Sequence, residues 1–337
     1  MTATPHPPPS TGDALQQLLD AHLQLPAEYQ DQLSSHLPMA LQALHSLGAS
    51  PQRMQAFYAS YAKRFDGMHV IAVAQPVADW RSLRGQLDTY PALLASMRAL
   101  VARDGVHATL RALLPDLLPG VAAAAFHGLI RTAHAVQSGH AGEVATALAY
   151  WAWRWQPLAP AQVPAVRKPL SAWSEALVRD AQVWRTDGPL ISIRMDQATQ
   201  GAVYQSLADV LQSFADLQSA IASLAALAAE RYVASPNFTV LHMITGMRAM
   251  RVLLPWIESE AGVQPILIRA FTAAYLAARV VPLANAPEPR LCTWPEVIAA
   301  GIASDDDHVI KLVHACSEEA GVYGDCNYLR VAGLAVG

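Results

Sequence analysis

The chain has 337 residues, 53% hydrophobic and 15% charged, with a net charge of −4. That balance fills a large core and excludes the strongly basic field expected of a nucleic-acid or anionic-lipid binder. No run of about 18 apolar residues offers a transmembrane helix, and three unpatterned cysteines, Cys292, Cys316 and Cys326, argue against a disulfide framework or zinc knuckle. A cytoplasmic protein is expected.

"MTATPHPPPSTG", residues 1–12, lacks a basic stretch followed by an apolar one. It reads as a short disordered tail, not a signal peptide. From residue 13 the pattern is helical nearly throughout. "DALQQLLDAHLQL" opens with Asp13 as the expected N-cap and carries leucines at helical spacing. "AEYQDQLSSHLPMALQALHSLG" predicts a helix interrupted at Pro38 and closed by Gly48. "PQRMQAFYASYAKRF" starts on a first-turn proline. "MHVIAVAQPVADW" is the one stretch expected to be extended. "YPALLASMRALVARDG", "VHATLRALLPDLL", "GVAAAAFHGLIRTAHAVQSG" and the aromatic-rich "EVATALAYWAWRWQPL" continue the helices.

Residues 156–170, "QPLAPAQVPAVRKPL", hold four prolines and mark the best boundary. Beyond it come "SAWSEALVRDAQVW", one long helical stretch from Gln197 to about Val233, "NFTVLHMITGMRAMRVLLP", "VQPILIRAFTAAYLAARVVPL", "WPEVIAAGIAS" and "DDHVIKLVHACSEEAG". No alternating strand series and no fixed-period repeat is present. The expected fold is all-α: one multi-helix domain over 13–337, organised as two packed halves, 13–155 and 171–337, joined by the proline-rich linker.

Chemistry concentrates in the histidines and one lysine. Lysine is scarce (Lys63, Lys168 and Lys311), and Lys311 alone is embedded in apolar sequence, between His308 and His314. A buried ammonium costs several kcal/mol, in round terms, unless it is paired or deprotonated. His36, His127, His134, His242 and His308 also lie in apolar helical contexts. One histidine on an apolar face is usually a satisfied core residue. Several, on four separate helices, suggest a metal site built between helices, since neutral imidazole is the commonest metal ligand. Arg248 and Arg251 read as a solvated face. Zincin, di-iron carboxylate, dinucleotide-binding, P-loop and hydrolase-elbow motifs are all missing.

Four segments, "SSHLPMALQALHSLGA" (34–49), "FHGLIRTAHAV" (126–136) with "ALAYWAW" (147–153), "LHMITGMRAMRVLLP" (241–255) and "DDHVIKLVHAC" (306–316), together resemble the questin oxidase-like family. The resemblance implies an O2-dependent enzyme that cleaves a ring of an anthraquinone or related aromatic polyketide, by a Baeyer–Villiger-type or dioxygenase reaction. It implies Fe(II) held by His36, His127, His242 and His308, with Lys311 as a carboxylated ligand derived from CO2. A desolvated lysine loses its proton more readily, and a neutral amine can add CO2 to give an oxygen anion on a long arm. Four imidazoles and one oxygen suit Fe(II) and leave a position for O2, the co-substrate.

His134, where relatives carry tyrosine, is expected behind the ligands or facing substrate, and His314 falls outside the pattern. Arg131 is expected to pair with a phenolate or carboxylate of the substrate, with Thr245, Tyr58, Tyr61 and Trp151 lining the same pocket. The partner is a small aromatic molecule, neither nucleic acid nor membrane. No motif marks a nicotinamide site, so dependence on NADPH is left open. Two other classes are weighed: a metal-dependent hydrolase, which lacks the H-x-H after a strand that binuclear zinc amidohydrolases use, and a non-catalytic helical protein with structural histidines.

Overall fold

The computed structural model describes residues 10–30, 32–68, 72–161, 166–260 and 262–337. Helices dominate them: α1 (Thr11–His22), α2 (Leu37–Ser46), α3 (Pro51–Ala62), α4 (Tyr90–Leu117), α5 (His127–Ser138), α6 (Ala141–Trp153), α7 (Leu170–Ala181) and α8 (Ile191–Thr199) come first. They are followed by α9 (Ala202–Leu207), α10 (Leu217–Ala234), α11 (Phe238–Leu253), α12 (Val263–Ala278), α13 (Trp294–Ala303), α14 (Asp307–Tyr323) and α15 (Asn327–Ala335). One antiparallel ribbon, β1 (Glu28–Tyr29) with β2 (Leu33–Ser34), is the only sheet among the described residues. The all-α expectation holds. No helix among the described residues is long and apolar enough to cross a membrane.

Local chemistry explains where the elements begin. Ser10, not Asp13, caps α1, its hydroxyl accepting the Asp13 N–H, so the helix starts two residues before the expected boundary. The rest of the expected tail, residues 1–9, lies outside the described residues. Pro38 does not kink a helix. It sits in the first turn of α2, where its missing N–H costs nothing, and the chain before it turns through Gln30 and Gln32, both at positive φ, to make the ribbon. In the stretch expected to be extended, residues 72–79 form no strand and residues 69–71 lie outside the described residues. The long helix expected from Gln197 to Val233 is broken twice. Asp209 turns inward to accept the Ala161 N–H at 2.7 Å and to pair with Arg269 at 3.0 Å, and Asp216 then caps a fresh helix by accepting the Ser219 N–H.

The largest buried apolar cluster draws side chains from both sides of residues 156–170, including Leu148, Trp151, Trp173, Phe271 and Tyr328. Where it meets the smaller cluster that holds most of α2, four helices pack in a ring, α2 on α5, α5 on α11, α11 on α14 and α14 on α2. Segments far apart in the chain therefore meet around one point, where His36, His127, His242 and His308 lie.

Candidate metal centre and cleft

Each helix presents its histidine at its first turns. His36 is the residue before α2, its N–H donating to the Tyr61 hydroxyl at 2.9 Å. His127 opens α5 after three consecutive left-handed residues, Ala124, Ala125 and Phe126, with φ of 47°, 58° and 69°. Each such non-glycine residue costs about 1–2 kcal/mol, so the turn exists only because its surroundings hold it. Phe126 packs against Gly246 of α11, where an added Cβ would lie 3.1 Å from the ring. His242 sits one turn into α11, which Asn237 starts by accepting the Thr239 and Val240 N–H groups. His308 and Lys311 lie in α14, capped by Asp306 through the His308 and Val309 N–H groups. That cap turns the next aspartate, Asp307, inward, where it is 3% exposed.

The four rings form a contiguous group. His36 stacks on His127 at 4.6 Å between centroids and meets His308 edge-on at 4.6 Å; His242 lies 4.9 Å from His127 and 5.4 Å from His308. On each ring Nδ1 faces an oxygen. His127 Nδ1 donates to the Ala124 carbonyl, and His242 Nδ1 to the Phe238 carbonyl at 2.8 Å. His36 Nδ1 meets Asp307 Oδ1 at 2.5 Å, and His308 Nδ1 lies 3.0 Å from the same oxygen. A carbonyl or carboxylate can only accept, so on His36, His127 and His242 Nδ1 carries the proton and Nε2 is a bare lone pair. The Nε2 atoms of His36 and His127 nevertheless stand 2.7 Å apart.

Electrostatics hold this tautomer pattern. Burial, then the neighbouring Lys311, drives His36 down to about 3. Burial likewise depresses His127 and His242, so all three rings are neutral at neutral pH. Burial alone would raise Asp307, but His36, His308 and Lys311 outweigh it and keep the carboxylate ionised. Asp307 Oδ2 also takes Arg64 at 3.3 Å, and Lys311 Nζ lies 3.9 Å from Oδ1. Lys311 is 2% exposed, and burial, only partly opposed by Asp307 and Asp306, pulls it down to about 8. His36, Asp307 and His308 bring one potential ligand atom each within 4.8 Å. Because Asp307 touches the Nδ1 edges, away from the Nε2 pair, it holds the rings from behind.

A cleft of about 440 Å³ opens onto all four histidines. Phe238, 55% exposed, leans over His308 at 4.6 Å and His242 at 4.9 Å, and Ala124 and Ala125 of the left-handed turn form part of the wall.

None of the residues expected to bind substrate lines this cleft. Arg131 is 1% exposed and donates to both Glu143 oxygens, at 2.6 and 3.1 Å, away from the imidazoles. The Thr245 hydroxyl donates within its own helix to Leu241. Trp151 is fully buried, its Nε1 donating to the Gly120 carbonyl. Tyr61 supports His36 from behind, and Tyr58 packs, partly buried, against the small cluster that holds Phe57 and Tyr61. His134 donates to Gln42 Oε1 at 2.5 Å and lies beside His314, in a separate buried group. Arg248 is no solvated face: it is buried and bound to Glu318 at 2.7 Å. Residues that the sequence reading missed are Asp307, Phe238, Arg154 and Arg194.

Among curated proteins no match is found. A family model described as questin oxidase-like matches residues 33–316, a span that holds all four clustered histidines and Lys311. That family points to oxygenase-type chemistry on a small aromatic molecule. By this match over most of its length, the chain belongs to the questin oxidase-like family.

Proposed function

We propose that this chain is a non-heme iron-dependent oxygenase that opens a ring of a polycyclic aromatic or quinone-like substrate. In this reading Fe(II) is held between helices by Nε2 of His36, His127, His242 and His308, with Lys311, carboxylated by CO2, as the oxygen ligand. The observation that carries it is the pair of bare nitrogens of His36 and His127, 2.7 Å apart. Two lone pairs at that distance repel unless an electrophile is shared between them. The low basicity of both rings argues against a proton in that role. With metal–nitrogen bonds of about 2.0–2.1 Å, adjacent imidazole nitrogens on one ion stand about 3 Å apart, close to the spacing found. The Nδ1 partners fit as well, since metal-binding histidines donate their other N–H to a carboxylate or carbonyl.

When bound, Fe(II) supplies the redox chemistry that lets O2 attack a closed-shell aromatic. The remaining work falls to the chain. Asp307 orients His36 and His308 and offsets positive charge beneath the rings. Lys311, near its titration midpoint at slightly alkaline pH, presents a fraction of neutral amine that can add CO2. Phe238 offers a flat apolar face beside the imidazoles for an aromatic ring, and the apolar walls limit water. Carboxylates are hard oxygen donors, and four neutral imidazoles with one such oxygen match the ligand preference of Fe(II).

The test is elemental analysis of protein purified without air and supplied with bicarbonate, beside Lys311→Ala. Near-stoichiometric iron in the wild type, largely lost in the variant, is expected. A carbamate signal in carbon-13 NMR after labelling with bicarbonate should be present in the wild type and absent from the variant. Zinc in place of iron, or a metal-free wild type, refutes the proposal.

A further inference from the structure

The cleft carries a charge that the histidine cluster does not use. No aspartate or glutamate lines it, but two arginines do, Arg154 and Arg194. Arg154 is already neutralised: its Nε lies 3.1 Å from Glu28, and its guanidinium donates to Gln32 at 2.6 Å. Arg194 is different. Its Nε donates to the Ala277 carbonyl at 3.0 Å, and one terminal nitrogen donates to the carbonyls of Gly188 at 3.0 Å and Pro189 at 3.5 Å. These contacts fix the guanidinium in place without cancelling its charge. Among the described residues no carboxylate comes within ion-pair distance of it. The charged neighbour it feels is Arg279, of the same sign.

A half-buried guanidinium held in fixed position in the cleft wall, beside a like charge and without a carboxylate partner, is placed to receive an anion. Its planar fork suits an oxyanion, and its second terminal nitrogen makes no hydrogen bond among the described residues. The missing counter-charge is then one that arrives with the ligand. We propose that Arg194 binds the anionic group, a carboxylate or phenolate, of an acidic aromatic substrate, and so sets which edge of the ring system faces the four histidines. The inference rests on the reading of this cleft as the substrate site. It moves to Arg194 the role that the sequence suggested for Arg131.

The test is a binding titration of the iron-loaded protein, followed by tryptophan fluorescence, with anthraquinone-2-carboxylate and its neutral isostere anthraquinone-2-carboxamide. A charge-assisted pair should favour the carboxylate by roughly 10- to 100-fold. Arg194→Gln should bring the carboxylate down to the level of the amide and leave the amide unchanged, which also shows that the cleft is intact. Arg194→Lys, which keeps the charge but not the fork, should retain part of the preference. Equal binding of the two probes to wild type, a preference that survives Arg194→Gln, or no binding of either probe overturns the assignment. Aromatic binding without the charge preference would leave the oxygenase reading standing. A charge preference in a protein that holds no iron would do the reverse.

Discussion

Arg131 separates two accounts of the same residue. Helical spacing puts it on the His127/His134 face, where it would read substrate; the structure instead pairs it with Glu143, both side chains 1% exposed. Arg131→Met keeps the length of the side chain and removes the charge. Glu143 is then a buried carboxylate with only His22, at 3.5 Å, to answer it. Breaking one partner out of a buried pair costs about 3–5 kcal/mol. At roughly 2.1 cal/mol/K per residue, this 337-residue chain unfolds with an entropy of about 0.7 kcal/mol/K, so its Tm should fall by about 4–7 °C. Arg131→Met/Glu143→Leu should recover most of that loss, since it leaves no orphaned charge. Urea unfolding at pH 7 and thermal scans of the two variants measure both effects. The deficit of the single variant should shrink as pH falls, beginning above the ordinary carboxylate range, because burial without Arg131 raises Glu143 and lets it take a proton there. A stability within about 1 kcal/mol of wild type, together with weakened ligand binding, would refute the structural account and restore Arg131 to the substrate.

The same pair contributes to the acid limb of stability, beside the depressed carboxylates of Asp307 and Glu318. Burial would raise Glu143, but Arg131 and His22 overcome it and hold it down to about 2. A carboxylate depressed in the folded state contributes stability above its unfolded pKa, about 4.5, and loses it as pH falls toward 2. The contribution is about 3 kcal/mol. Urea midpoints between pH 6 and 3 should therefore decline in wild type and decline less in Arg131→Met/Glu143→Leu; parallel slopes would contradict this. At Gly128 an added Cβ would lie 2.7 Å from Trp151 Cγ, and the indole is pinned through its bond to Gly120. Gly128→Ala gains up to about 1 kcal/mol of helix propensity but meets an overpacking cost of about 1–3 kcal/mol. A net loss in Tm is expected, and an unchanged or higher Tm would show that the ring yields.

The sequence exposed the histidines because their contexts are incongruous. A charged or polar ring among Phe238–Met247, or after four alanines, stands out against an apolar helix, and so does Lys311. Their meeting in space is not written in any one segment. His36 and Asp307 are 271 positions apart, and only the packing of α2 on α14 joins them. Asp307 was hidden by its neighbours: it ends a run of three aspartates in which Asp305 or Asp306 is the natural cap, and only the backbone at Asp306 decides which one turns inward. Arg131 misled because helical spacing gives the direction of a Cβ, whereas a long side chain follows its partner, here on α6. Arg194 gave no signal because its carbonyl cradle and its place in the cleft are tertiary. The broken helix after Gln197 failed for the same reason, since Asp209 serves Arg269 and the distant Ala161 instead of its own turn.

The left-handed turn before His127 has a consequence for assembly order. Taken alone, residues 124–126 would relax toward ordinary right-handed or extended backbone, and the ring of His127 would lose its hydrogen bond to Ala124. The turn is secured once Phe126 is seated against Gly246, a residue 120 positions later in the chain. A chain in which α11 is not yet packed therefore lacks both the contact that holds this turn and His242, the neighbour of His127. The local geometry at His127 is thus set by a contact made far along the chain, not by the residues beside it.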